Sequence, residues 1–319
     1  MPEPLADNLV WMSVKLFGLS IRSQFPLSSE ELYEVAGQSA QPVDVVISAV
    51  MQLPGAGDSA VDVLRWDAPP HLPENLVLLQ RRPDGTCLFN FGGQRFGISA
   101  QFDSVEVEVR HDTDLGWVSV LLDGWVLSLV VFLRGGVVLH ANAVQIDGRL
   151  VAFVGSSRQG KTTLGSALCS LGGQLFTDDV LSVTLPADSA TMRCYRGTYG
   201  LRVRPEVETL RGERDFRVQT RSVAEELDAA AVVIPVIGEV ESVWSIEQLG
   251  PSTASLAVLA HPRVFSWVDP GLRQAEFDAV TSLVTRVPVF ILRMPFGGVD
   301  AEQLRRTIFS AIDSAARRA

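Results

Sequence analysis

The sequence predicts an α/β protein in which a β-rich accessory domain precedes a mixed-sheet catalytic domain of the phosphate-loop (P-loop) kind. Three observations carry this. Short alternating or β-branched runs fill residues 12–110, a strand, a glycine loop and a helix follow one another over 150–171, and 319 residues exceed what a single hydrophobic core usually holds. The boundary is expected at 113/114, with an accessory, substrate-recognition domain over 1–113 and the catalytic domain over 114–319.

Val43-Asp44-Val45-Val46-Ile47 and Val105-Glu106-Val107-Glu108-Val109 typify the first part, which reads as mostly antiparallel strands. The prolines of Asp67-Ala68-Pro69-Pro70-His71-Leu72-Pro73 mark a loop, because each fixes its own φ and removes a backbone donor. Residues 114–133 form an apolar helix ended by Gly135-Gly136. Asp123 and Arg134 interrupt this apolar stretch, leaving no charge-free run of the roughly 20 residues a membrane helix needs, so a buried helix is expected.

Next come a strand over 137–146, the hairpin-turn dipeptide Asp147-Gly148 and a second strand over 150–154. A helix over 162–171 closes on Gly172-Gly173, and Asp178-Asp179 leads into the apolar Val180-Leu181-Ser182-Val183. A strand over 287–292 and an amphipathic helix from about Asp300 complete the chain.

The net charge of −10 excludes a general nucleic-acid or anionic-membrane binder, since such partners require a positive surface. Hydrophobic residues at 47% and charged residues at 20% are ordinary for a folded protein. The acidic start Met1-Pro2-Glu3-Pro4 lacks the cationic-then-apolar pattern of a secretion signal. Cys87, Cys169 and Cys194 are widely spaced and form neither a disulfide framework nor a zinc cluster. A cytoplasmic setting is expected, and homo-oligomerisation is left open.

Gly155-Ser156-Ser157-Arg158-Gln159-Gly160-Lys161-Thr162 fits G-x-x-x-x-G-K-[ST], with Thr163 continuing into the helix. In such a loop, backbone N–H groups converge on phosphate oxygens, the helix adds its positive end and lysine reaches the terminal phosphates. Lys161 is one of only two lysines in the chain, Lys15 being the other. Arg158 stands where such loops often carry glycine, and points at a nucleotide or at solvent.

ATP with Mg²⁺ is the ligand pair this loop implies. An acidic partner is needed to hold the metal, and a second carboxylate to take a proton from an acceptor hydroxyl. Asp178 and Asp179, at the end of the strand after the loop helix, are the candidates. His140 lies in an apolar strand with Asn142 on the same face, and is read either as a core residue or as a site residue. Eight arginines against four acids between Arg193 and Arg221 make a basic stretch, either a solvated face or a holder of an acidic substrate. His71, His111 and His261 show no partner spacing.

The block Leu139-His140-Ala141, the loop at 155–162, Asp178-Asp179 and the weaker echo Arg196-Gly197 to Val203 resemble the HPr kinase/phosphorylase catalytic domain and its bacterial relatives. The resemblance covers about residues 137–204, and Phe17-Gly18-Leu19-Ser20-Ile21 also looks like the shorter relatives, some of which phosphorylate serine on peptides made by biosynthetic clusters. It implies an HPr-kinase-like fold, Asp178 as general base with His140 modulating its proton, and Asp179 and Thr162 serving Mg²⁺. Cys194-Tyr195 stands where the family has a glutamate.

The expected activity is therefore transfer of the ATP γ-phosphate to a hydroxyl, serine of a peptide or small protein, with catalytic Asp178, His140 and Lys161. The alternative is a nucleotide-binding scaffold or switch that transfers nothing.

Overall fold

A computed structural model describes residues 9–27, 42–67, 76–187, 190–198, 224–238 and 243–318. The proline-rich connection at 68–73 and most of the basic stretch, 202–221, fall outside the described residues. The chain is a mixed α/β protein that divides into two compact units, Met1–Gly135 with Val264–Glu276, and Gly136–Arg263 with Phe277–Ala319.

The first unit is built on an eight-stranded sheet. Its strands are β1 (Met12–Leu16), β2 (Leu19–Ser23), β3 (Val45–Val50), β4 (Val61–Asp67), β5 (Leu76–Arg81), β6 (Cys87–Phe91), β7 (Gln94–Ile98) and β8 (Ser104–Glu108), in spatial order β1-β2-β3-β8-β7-β6-β5-β4. All neighbours are antiparallel except β2 with β3 and β3 with β8.

The apolar segment after β8 runs as α1 (Leu115–Leu121), a π-helical turn (Leu122–Val126) and α2 (Leu127–Leu133). Asp114 starts it by accepting from the Trp117 N–H at 3.1 Å, and Gly135 ends it at φ +88°. By length and composition Leu115–Leu133 is apolar enough to cross a membrane, but 56% of its most apolar window is buried inside the structure. Its Trp125 lies against Phe89 and Phe91 of β6, with ring centroids 6.4 and 5.4 Å apart. These contacts group the helix with the first unit, so the division falls at Gly135 and not at the expected 113/114.

The second unit contains β9 (Val137–Leu139), β10 (Ala141–Ile146), β11 (Arg149–Val154), β12 (Gln174–Thr177), β13 (Leu181–Thr184), β14 (Arg193–Tyr195), β15 (Glu226–Ile237), β16 (Ser245–Gln248) and β17 (Val289–Met294). Their order is β12-β10-β11-β15-β14-β13-β9, with β17 beside β15 and β16 beside β17. The strand expected over 137–146 is two strands. The chain breaks at His140, β9 pairing with β13 while β10 pairs with β11 and β12.

Asp147 (φ +51°) and Gly148 (φ +73°) make the tight turn between β10 and β11. The twelve-residue β15 had no expected counterpart, although its run Ala229-Ala230-Ala231-Val232-Val233-Ile234 is strand-like. It pairs in parallel with β11 on one side and β17 on the other.

Helices cover both faces, which is why β11 and β15 read as continuous apolar runs. Leu150, Ala152 and Val154 of β11 share a core with Ala254 and Val258 of α4 (Pro251–Leu259) and with Val280, Leu283 and Val284 of α5 (Pro270–Val284). Val151 and Phe153, on the alternate face, pack with Leu164 and Leu168 of α3 (Lys161–Ser170) and with Leu304, Ile308 and Ile312 of α6 (Ala301–Ala316). Burying one such Leu or Ile contributes about 1.5–3 kcal/mol. Two filled cores thus fix β11, and with it the loop that leaves its end.

Candidate active site

The loop at 155–162 leaves β11 and enters α3, all within the second unit. The Gly155 N–H donates to the His140 carbonyl at 3.2 Å, tying the end of β11 to the break between β9 and β10. A Cβ at Gly155 would lie 2.4 Å from Gln159 Oε1, so only glycine leaves room for that side chain. Gln159 Oε1 accepts from the Ser156 N–H at 2.6 Å. An acceptor oxygen therefore already sits in the loop, the kind of partner a phosphate oxygen supplies.

Arg158 adopts φ +71°, the left-handed conformation that explains why glycine is common there, and its side chain is exposed. Ser157 is exposed as well, and Thr162 and Thr163 stand half-buried in the first turn of α3. Gly160, at φ +81°, heads that helix.

Lys161 is buried, and its Nζ donates back to the Ser156 carbonyl at 3.1 Å. Burial pushes its ammonium pKa below the ordinary lysine value, while the charges of Asp179 and Asp178 work against that shift.

The two carboxylates diverge. Asp178 is buried, and its Oδ1 accepts from Asn142 Nδ2 at 3.1 Å. Its backbone is fixed by Thr198, whose carbonyl accepts from the Asp178 N–H and whose hydroxyl donates to the Asp178 carbonyl, both at 3.1 Å. Asp179 turns the other way at φ +71°. Its carboxylate meets His140 Nε2 at 2.9 Å and Arg263 Nη2 at 3.3 Å. His140 thus pairs with Asp179, the neighbour of the carboxylate that the resemblance has it attend. The left-handed backbone at Asp179 sends successive side chains to different partners.

Burial raises the Asp179 pKa, but the hydrogen bond from His140, followed by the charges of Arg263, His140 and Lys161, outweighs it and holds the carboxyl well below the usual carboxylate range. Asn142 is wholly buried, and a Cβ on Gly165 of α3 would stand 2.1 Å from its Oδ1. Gly165 therefore makes the space that lets Asn142 hold Asp178.

His261 and Arg263, for which the sequence showed no pattern, join from the segment after α4. Pro262 bridges to Leu139 of β9, which sets both neighbours against the site. His261 Nδ1 lies 3.0 Å from Ser156 Oγ. Burial, then the charges of Lys161 and His140, push the His261 pKa down. The pair of basic side chains His261 and Arg263, bracketed by apolar α4 and Val264, was the available signal.

Among the described residues no group of three or more His, Cys, Asp and Glu could hold a metal. The oxygens of Asp179 and Thr162 suit a hard cation that takes most of its ligands from substrate phosphates and water. Arg193, at the start of the basic stretch, contacts Glu226 at 3.3 Å and Asp228 at 3.6 Å across the antiparallel pair β14–β15, all three side chains partly exposed.

No protein-family model matches the chain, and no curated protein matches it. Among solved structures, the Hpr(Ser) kinase/phosphatase from Coxiella burnetii aligns with a TM-score of 0.30 and 14% identity, over 57% of this chain and 99% of that one. A likeness at that level assigns neither fold nor chemistry.

Proposed function

We propose that the chain is an ATP- and Mg²⁺-dependent kinase that transfers the γ-phosphate to a hydroxyl, serine of a peptide or small protein. The observation that carries this reading is the buried Lys161 folded back onto the glycine loop, with two carboxylates held by different partners and close enough for their charges to act on it.

The loop N–H groups and Lys161 receive the phosphates, and Lys161 offsets charge on the transferring group. Asp179 and Thr162 would hold Mg²⁺, which would supply positive charge to offset that of the phosphates. Asp179 suits that role because its cationic neighbours keep it ionised, and they also make it a weak base. Asp178, which accepts from the neutral amide of Asn142, is the carboxylate assigned to the acceptor. As the acceptor oxygen attacks the γ-phosphorus, its proton passes to Asp178, the new O–P bond forms, and the bond to the β-phosphate oxygen breaks to release ADP. His140 and Arg263 keep Asp179 in place.

Labelled ATP with a set of serine-containing peptides tests the reading. General-base catalysis contributes about 10²–10⁴-fold, so Asp178→Asn should lose transfer by at least the lower figure while still binding ATP. Transfer at the wild-type rate by Asp178→Asn sinks the assignment.

One observation favours the alternative of a nucleotide-binding switch without transfer. Gln159 already satisfies the Ser156 N–H, so the loop is closed on itself. Nucleotide binding by the wild-type chain, without phosphoproduct on any acceptor, is the result that reading requires.

A further inference from the structure

The parallel strands β15 and β17 end beside the glycine loop, β15 on the partly exposed Ile237 and β17 on the buried Met294. Ile237 and Met294 are register partners at the last position of each strand, and the Gly238 N–H donates to the Met294 carbonyl at 2.8 Å. Ile237 is 39% exposed although apolar, and Phe296, two residues beyond β17, is 66% exposed. The ledge abuts the loop directly. A Cβ on Gly160 would stand 3.2 Å from Met294 Cε and 3.7 Å from Ile237 Cδ1, so both side chains rest on the backbone that turns into α3.

We propose that this ledge, the exposed Ile237 and Phe296 with the buried Met294 beside the loop, seats the base of a nucleotide whose phosphates occupy the loop, which rests on the phosphate-loop reading above. Open α/β sheets take ligands beyond the carboxyl ends of their parallel strands, where Ile237 and Met294 lie. The exposed aromatic ring offers a face for stacking, and every base has such a face. The ledge side chains carry no amide, hydroxyl or charge, so they hold a base by its face and do not read its edge. Purine triphosphates should therefore bind alike, whether ATP or GTP, and both should bind more tightly than a bare phosphate chain.

Calorimetric binding of ATP, GTP, adenosine and inorganic tripolyphosphate to the full chain, alone and as Phe296→Ala and Ile237→Ala, tests this. Stacking on an aromatic side chain makes about a tenfold difference in affinity. The expected result is that ATP and GTP bind about tenfold or more tighter than tripolyphosphate, and that each variant loses most of that advantage with tripolyphosphate binding unchanged. Unchanged thermal unfolding of Phe296→Ala, whose ring lies outside any strand, establishes that the loss is local.

Nucleotides binding no tighter than tripolyphosphate, or variants that bind ATP as the wild type does, overturn the ledge as a base seat. Discrimination of tenfold or more between ATP and GTP overturns its face-only recognition. Failure of tripolyphosphate to bind the wild type refutes the phosphate-loop reading instead. The ledge then stands if adenosine binds and Phe296→Ala weakens it, and falls if adenosine does not bind.

Discussion

Gly165 sits inside α3, where replacing glycine by alanine ordinarily stabilises a helix by about 0.8–1 kcal/mol. Here the sign should reverse. The new Cβ would meet Asn142 Oδ1 at 2.1 Å, Cγ at 2.8 Å and Nδ2 at 3.0 Å, and Asn142 is wholly buried with nowhere to retreat. Overpacking of this kind costs about 1–3 kcal/mol. Moving Asn142 also breaks its hydrogen bond to the Asp178 carboxylate, a bond to a charged group worth about 1.5–3 kcal/mol. Set against the helix gain, Gly165→Ala should lose about 1.5–5 kcal/mol in urea unfolding, and on the proposed reading phosphate transfer should fall with it because Asp178 loses its orienting amide. Asn142→Ala removes the obstacle, so adding Gly165→Ala to that variant should be neutral or stabilising by up to about 1 kcal/mol. A coupling free energy of about 1 kcal/mol or more between the two sites is the signature of direct contact. Gly165→Ala as stable as the wild type, or equal effects in both backgrounds, would refute the steric argument.

Asp179 has a folded pKa below its unfolded value of about 3.9, so its contribution to stability is complete above that value and is lost as pH falls toward the folded pKa. The stability difference between wild type and Asp179→Asn should therefore shrink in acid below about pH 4, measured by urea titration at several pH values, and asparagine tolerates the left-handed backbone there. Glu276 behaves oppositely, because burial raises its carboxyl to about 7. Its contribution is present below the unfolded value of about 4.3 and is lost as pH rises through the folded value, so Glu276→Gln should melt higher than wild type at pH 8 and equally at pH 4. Burial raises the thiols of Cys87 and Cys194, and that of Cys169 to about 11. Iodoacetamide at pH 7.5 should label all three slowly in the folded protein and quickly in urea, as mass spectrometry will show.

The elements with strong local signals were legible. Asp147-Gly148 could be read as a turn because both residues adopt positive φ, and the glycine loop because its residues recur at fixed spacing between an apolar strand and a periodic helix. Strand β15 was missed because both its faces are buried, so no alternation marks it, and the composition of 229–234 suits a buried helix equally well. The break at His140 was hidden because apolar residues run on both sides of it, and only the different partners of β9 and β10 separate them. Lys161, Asp178, Asp179 and His140, singled out from sequence, lie near one another. Which carboxylate His140 meets depends on the φ of Asp179, which no composition encodes. Arg263 and His261 were invisible because their placement comes from the bridge of Pro262 to Leu139, a contact between distant segments.

That distance bears on how the protein is made. The contact between Ser156 and His261 spans 105 residues of chain, and β15 must acquire parallel neighbours on both sides, one earlier and one later in sequence. Closing long loops costs little extra equilibrium free energy, since the entropy grows only with the logarithm of length, but non-local parallel pairing slows folding by orders of magnitude. The glycine loop and α3 are local and can form early. Arg263 arrives only when the distant strands have docked, so recovery of function on refolding should follow the slowest step of sheet assembly.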